Sequence, residues 1–89
     1  MALSSIEYKE RLVEFGRDLS QVADNLYEAI EDELPPARRE AVIAAAQKKV
    51  QDYSAFLEEL KTPQKAELER KYGSRVRDIE GWLDTLLKR

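Results

Sequence analysis

Apolar residues recur along this 89-residue chain in steps of three and four, and the series breaks twice. Up to the first break it runs Tyr8, Leu12, Phe15, Leu19, Val22, Leu26 and then Ala29 or Ile30. This is the seven-residue spacing of helices that pack lengthwise on one another. After the break come Val42, Ala46, Val50, Tyr53, Phe56, Leu57 and Leu60, with Ala45 beside them. The last series is Leu68, Tyr72, Val76, Ile79, Leu83 and Leu86, widened by Trp82 and Leu87. At 100° per residue each series covers roughly 140° of a helix surface. That arc suits a helix touching two neighbours, whereas a two-stranded coiled coil needs a narrower seam.

Both breaks carry proline. "LPPAR" sets Pro35 and Pro36 together, and "LKTPQK" sets Thr62 before Pro63 as an N-cap followed by a first-turn proline. The spacing predicts helices over about 4–33, 36–60 and 63–88. Gly73 and Ser74 fall inside the third, but the apolar phase continues across them, so a local kink is the most they predict. One interior Gly costs only about 1 kcal/mol. Short connections make successive helices antiparallel neighbours. The expected fold is all-α: a single domain over residues 1–89, built as an antiparallel up-down-up three-helix bundle. The competing architecture is a long helical hairpin that completes its core by dimerisation. Leu19, Leu26, Val50, Phe56, Ile79 and Leu83 are the expected core.

Composition narrows the chemistry. With 37% charged residues and only three Gly and three Pro, an all-β fold has too little turn material. There is no Cys and no His, which removes disulfides, Cys-based zinc sites and the usual general base. The N-terminal stretch lacks the pattern of a secretory signal, and no apolar run approaches the ~20 residues of a membrane span. The expectation is a soluble, cytoplasmic protein with no membrane contact, no metal and no cofactor. Phosphate loops, nucleophile elbows and metal-ligand clusters are absent, and the serines have no His to activate them, so the chain reads as no enzyme.

Charge is unevenly spread. Residues 1–34 hold three Lys/Arg against nine Asp/Glu, and residues 35–89 hold twelve against nine. Glu28, Glu31, Asp32 and Glu33 crowd the end of the first helix, where the helix dipole disfavours carboxylates. In an up-down-up bundle, Arg38, Arg39, Lys88 and Arg89 lie at the same pole and are expected to offset them. At the other pole Glu58 and Glu59 approach Lys9, Arg11, Lys61 and Lys65. The functional alternative is that Asp24, Glu28, Glu31 and Asp32 face a partner with a basic surface, with Glu28, Glu31 and Asp32 forming one exposed patch. They lack the alternating ligands and Gly of a calcium loop.

Several single residues stand out. Lys49 interrupts the second apolar series and is expected to pair with Asp18. Glu69 enters the third series near its start, where partial exposure is expected. Arg70, Lys71, Arg75 and Arg77 are interleaved with acids, with pairs such as Glu67–Lys71 expected, so nucleic-acid binding is disfavoured. Trp82 reads either as core or as an anchor, since Trp82, Leu86 and Leu87 belong to the widest apolar face. Aromatic anchors dominate binding hot spots. The sequence therefore predicts a small helical protein–protein interaction module: an adaptor, assembly factor or chaperone, or an inhibitor or regulator. Its partner-binding residues are Trp82, Leu86, Leu87, Glu28, Glu31 and Asp32. The alternatives are a self-assembling homo-oligomer and a nucleic-acid accessory protein.

Overall fold

The computed structural model describes residues 4–88. Helix α1 spans Ser5–Glu31 and α2 spans Pro36–Glu58. A third helix opens as α3 (Thr62–Leu68), widens through a π turn (Glu69–Gly73) and continues as α4 (Ser74–Leu87). Contacts between α1 and α2 run in opposite senses: Tyr8 and Phe15 meet Phe56, Asp18 meets Lys49, and Glu28 meets Arg38. Those between α1 and the third helix run in the same sense, from Tyr8–Glu67 through Phe15–Tyr72 to Tyr27–Trp82. The result is an up-down-up bundle measuring 42 × 18 × 18 Å, all three helices touching one another. The third helix fills the place that a dimer partner holds in the hairpin alternative.

Local chemistry sets the helix ends. Ser4 caps α1: its Oγ accepts the Glu7 N–H at 3.2 Å and donates to the Glu7 carboxylate at 2.9 Å. The S-x-x-E spacing is a capping signal that the apolar pattern does not register. Helix α1 stops at Glu31, two residues short of the predicted end. Pro36 occupies the first turn of α2, where its missing N–H has no bond to make. At the second break the helix starts at Thr62, one residue earlier than expected. Thr62 is thus helical rather than a cap, and Gln64 accepts the Lys61 N–H at 3.5 Å. At Gly73 the helix is not broken: a π turn closes on this buried glycine. Two successive four-residue steps, Leu68 to Tyr72 to Val76, would drift about 80° around an ideal helix. The wider turn takes up part of that drift and keeps all three residues on the inner side.

Leu19, Leu26, Phe56, Ile79 and Leu83 are buried as predicted. Val50 is a correction: it is only half-buried, packing at the edge of the core. Ala45 is exposed, whereas Ala23 and Ala46 are in the core, their small side chains permitting close helix approach. Helix α2 buries least because it spreads its apolar residues over two sides. Val42, Ile43, Val50, Tyr53 and Leu57 are all partly covered, and only Ala46 and Phe56 are fully so.

Several polar groups at the core margin are paired. Lys49 lies 3.5 Å from Asp18 and 3.4 Å from Asp52, with its ammonium 5.6 Å from the Phe15 ring centroid. The predicted register pair is present, and Asp52 makes it a triad. Arg11 pairs with Glu59, as the pole-to-pole argument anticipates, and lies over the Phe56 ring. The Glu67–Lys71 pair does not form; Glu67 instead accepts the Tyr8 hydroxyl. Glu69 is exposed beyond the partial exposure expected of it.

Burial first, then the hydrogen bond and charge of Glu67, push the Tyr8 phenol from its usual 10.0 up to about 12. A folded-state pKa raised this way gives stability that is fully present below pH 10.0 and is lost as pH climbs toward about 12. In that window the unfolded chain ionises its phenol first. Urea titrations across it should show a falling midpoint, and Tyr8→Phe should fall less steeply. Equal slopes for the two proteins would mean that Tyr8 does not carry the effect.

Candidate functional site

The acidic pole tests the sequence reading most directly. Glu28, Glu31, Asp32 and Glu33 are all exposed. Of the cations expected to offset them, Arg38 alone does so among the described residues, reaching Glu28 at 3.8 Å. Arg39 instead donates to the Leu86 carbonyl, closing one of the orphan acceptors at the end of α4. Lys88 turns back on its own helix to Asp84 at 2.9 Å. Arg89 lies outside the described residues. Arg39 and Lys88, at the start of α2 and the end of α4, have closer acceptors than the acids of α1. Among the described residues, Glu31, Asp32 and Glu33 have no Lys or Arg partner within 4.0 Å.

The three apolar site residues do not form one patch. Leu86 is wholly buried, contrary to its expected place on an exposed face. Leu87 is 59% exposed and lines a shallow groove with Val50 and Leu83, between α2 and α4. Trp82 is half-buried on the other side of α4, its ring edge-to-face with Tyr27 of α1 at 5.7 Å. Helical geometry explains the split. Trp82 and Leu87 stand about 140° apart around the axis, with Leu86 between them. Because α4 lies between α1 and α2, the middle of its apolar arc is core and its two edges open into different grooves.

What the structure does bring together is Trp82 and Tyr27, which stands one turn before Glu31. Tyr27, which lies outside the apolar series of α1, is 51% exposed and supports the indole. Glu31, one turn on, raises the pKa of its phenol through hydrogen bonding and charge. Tyr27, Glu28 and Glu31 therefore share the exposed end of α1, with Trp82 against Tyr27. A signal for Tyr27 does exist in the chain: it stands one position outside the stripe residue Leu26, where a solvent-side residue is the simpler choice.

The grooves between helices are shallow, and among the described residues no three acidic side chains converge as a metal set. No described helix is long and apolar enough to cross a membrane. Comparison of the chain with family models, with characterised proteins and with solved structures finds no match.

Proposed function

We propose that this three-helix chain is a non-enzymatic module that binds another protein, in the manner of an adaptor, assembly factor or inhibitor. Its recognition surface is the end of the bundle that carries Trp82, Tyr27, Glu28, Glu31 and Asp32. One observation carries the reading. Carboxylates crowd a helix C-terminus against the dipole, three of them without a cationic partner among the described residues, beside an aromatic pair that is only partly covered. A cationic partner would relieve that negative potential, and an aromatic anchor would supply the area it docks on. Leu87 belongs to a separate groove and Leu86 to the core, so the surface is smaller than the sequence suggested.

The test uses the full chain as bait, with Tyr27→Ala and Trp82→Ala variants checked for helicity by circular dichroism. Proteins retained by the unaltered chain should be retained about tenfold less by either variant, the loss of a single hot-spot side chain. Glu28→Lys with Glu31→Lys should chiefly slow association, and the defect should shrink in high salt. Unchanged retention by folded Tyr27→Ala and Trp82→Ala would overturn the reading.

A further inference from the structure

Among the described residues only four large apolar side chains are mostly exposed: Ile6 at 72%, Val13 at 63%, Tyr27 at 51% and Leu87 at 59%. Three of them lie on α1 at multiples of seven residues, in the line Ile6, Val13, Ser20, Tyr27. This line is not the core stripe. It lies on the edge of α1 beside the third helix: one flank holds exposed Lys9, then Gly16, against Tyr72, and buried Ala23. The other flank is open to solvent and carries Glu10, Arg17, Asp24 and Glu31, again seven apart and all exposed. Trp82, over Tyr27, closes one end of the line.

A line of exposed apolar residues at heptad spacing, broken at Ser20 and flanked by charges, offers a helix one apolar position in each seven rather than the two of a full coiled-coil seam. The charges say which helix. A second copy of this chain laid antiparallel, Ile6 over Tyr27, would bring Glu10 beside Asp24 and the two Arg17 side chains together. Laid parallel, it would gather the acidic ends of both α1 helices, each with Asp24, Glu28 and Glu31, at one pole. Antiparallel pairing thus sets like charges opposite one another at the seam, and parallel pairing concentrates negative charge at one end. Three of the four charges on the outer flank are acidic, so a helix with lysines or arginines along its flank meets Glu10, Asp24 and Glu31 favourably and only Arg17 unfavourably, and among the described residues none of these three acids is engaged by a Lys or Arg within 4.0 Å. We infer that the Ile6–Val13–Tyr27 edge of α1, ending at Trp82, is a docking seam for an amphipathic helix with a basic flank, supplied by another protein. This inference rests on the reading of the chain as a protein-binding module and specifies the partner's form. From Ile6 to Tyr27 the seam measures about 32 Å. A single helix laid on it makes an interface at the small end of the specific range, so binding is weak and exchangeable.

The probe is a synthetic helical peptide of about four heptads with Leu at the core positions and Lys on the flanks, beside a twin carrying Glu in place of Lys. Fluorescence anisotropy with the full chain should show the Lys peptide binding and the Glu twin at least about tenfold weaker, a gap that narrows with salt. Val13→Lys should weaken the Lys peptide by about tenfold or more while Val13→Leu keeps it, with helicity unchanged in both. Val13 is exposed, so neither change disturbs the core. Equal binding of the Lys peptide to Val13→Lys overturns the seam. So does sedimentation showing a dimer of the unaltered chain that Val13→Lys abolishes, because the occupant would then be a second copy. Running Val13→Lys in the bait experiment separates the two ideas. Retention lost with Tyr27→Ala but kept with Val13→Lys removes the seam and leaves the polar surface; retention kept with both removes both.

Discussion

Phe56→Ala should lower the unfolding free energy by about 3–5 kcal/mol, the range for deleting a buried aromatic ring. Phe56 is 2% exposed and stands where α2 crosses the aromatic layer of α1, with ring centroids 6.3 Å from Tyr8 and 5.9 Å from Phe15. Both neighbours sit on the longest helix, so the space cannot close by a local backbone shift. The substitution also removes the surface under Arg11, whose guanidinium lies 4.4 Å from the ring centroid while paired to Glu59. The half-buried neighbour Leu57 provides a comparison: Leu57→Ala should lose less than half as much. Small domains hold only about 5–15 kcal/mol in total, so Phe56→Ala should sit close to unfolding in urea titrations. A loss below about 1 kcal/mol would mean that α2 does not close the core at this level.

Gly16→Ala should destabilise the chain by about 1–3 kcal/mol, although alanine is the better helix former by about 1 kcal/mol. Gly16 lies mid-helix in α1, and a Cβ there would stand 2.3 Å from the Tyr72 hydroxyl oxygen and 2.8 Å from the ring carbon bearing it. The Tyr72 ring is held by its edge-to-face contact with Phe15 at 5.8 Å, so it cannot swing aside without giving up that packing. The decisive measurement is the same substitution in a Tyr72→Ala background, where the obstacle is gone and propensity alone should act. Gly16→Ala should then stabilise, reversing its sign. Gly81 is a built-in control: a methyl group there would meet nothing within 4 Å beyond its own helix backbone, so Gly81→Ala should stabilise the unaltered chain. If Gly16→Ala destabilises equally with and without Tyr72, the close approach is not the cause.

These two sites differ in how visible they are in the chain. Phe56 falls on its apolar series and is readable as core. Gly16 shows nothing of its role, because the ring it admits comes from a residue far along the sequence. The candidate site divides similarly. The excess of carboxylates at the end of α1 is explicit in the sequence, and so is the arc that holds Trp82, Leu86 and Leu87. Their separation into two grooves and a core position is not, because it depends on where α4 sits between its neighbours. The fate of the nearby cations is also hidden. Arg39 and Lys88 are close enough in the expected topology to reach the acids of α1, but the Leu86 carbonyl and Asp84 are nearer.

The sequence by itself determined the number of helices, their limits to within one or two residues, their up-down-up order and most of the core. Each of these follows from information local to a segment. Proline ends a helix wherever it stands, a three-and-four apolar period marks one face of one helix, and short connections leave antiparallel packing as the simple outcome. Only the tertiary structure decided which edge of each apolar arc stays open, which charges find partners, and that Tyr27 supports Trp82. It also placed Ile6, Val13 and Tyr27 on an uncovered line beside the third helix. Those outcomes depend on the rotation of each helix about its own axis. A turn of a few tens of degrees moves a residue at the edge of an arc from core to surface but leaves one at its centre buried, so centres can be read from the period and edges cannot.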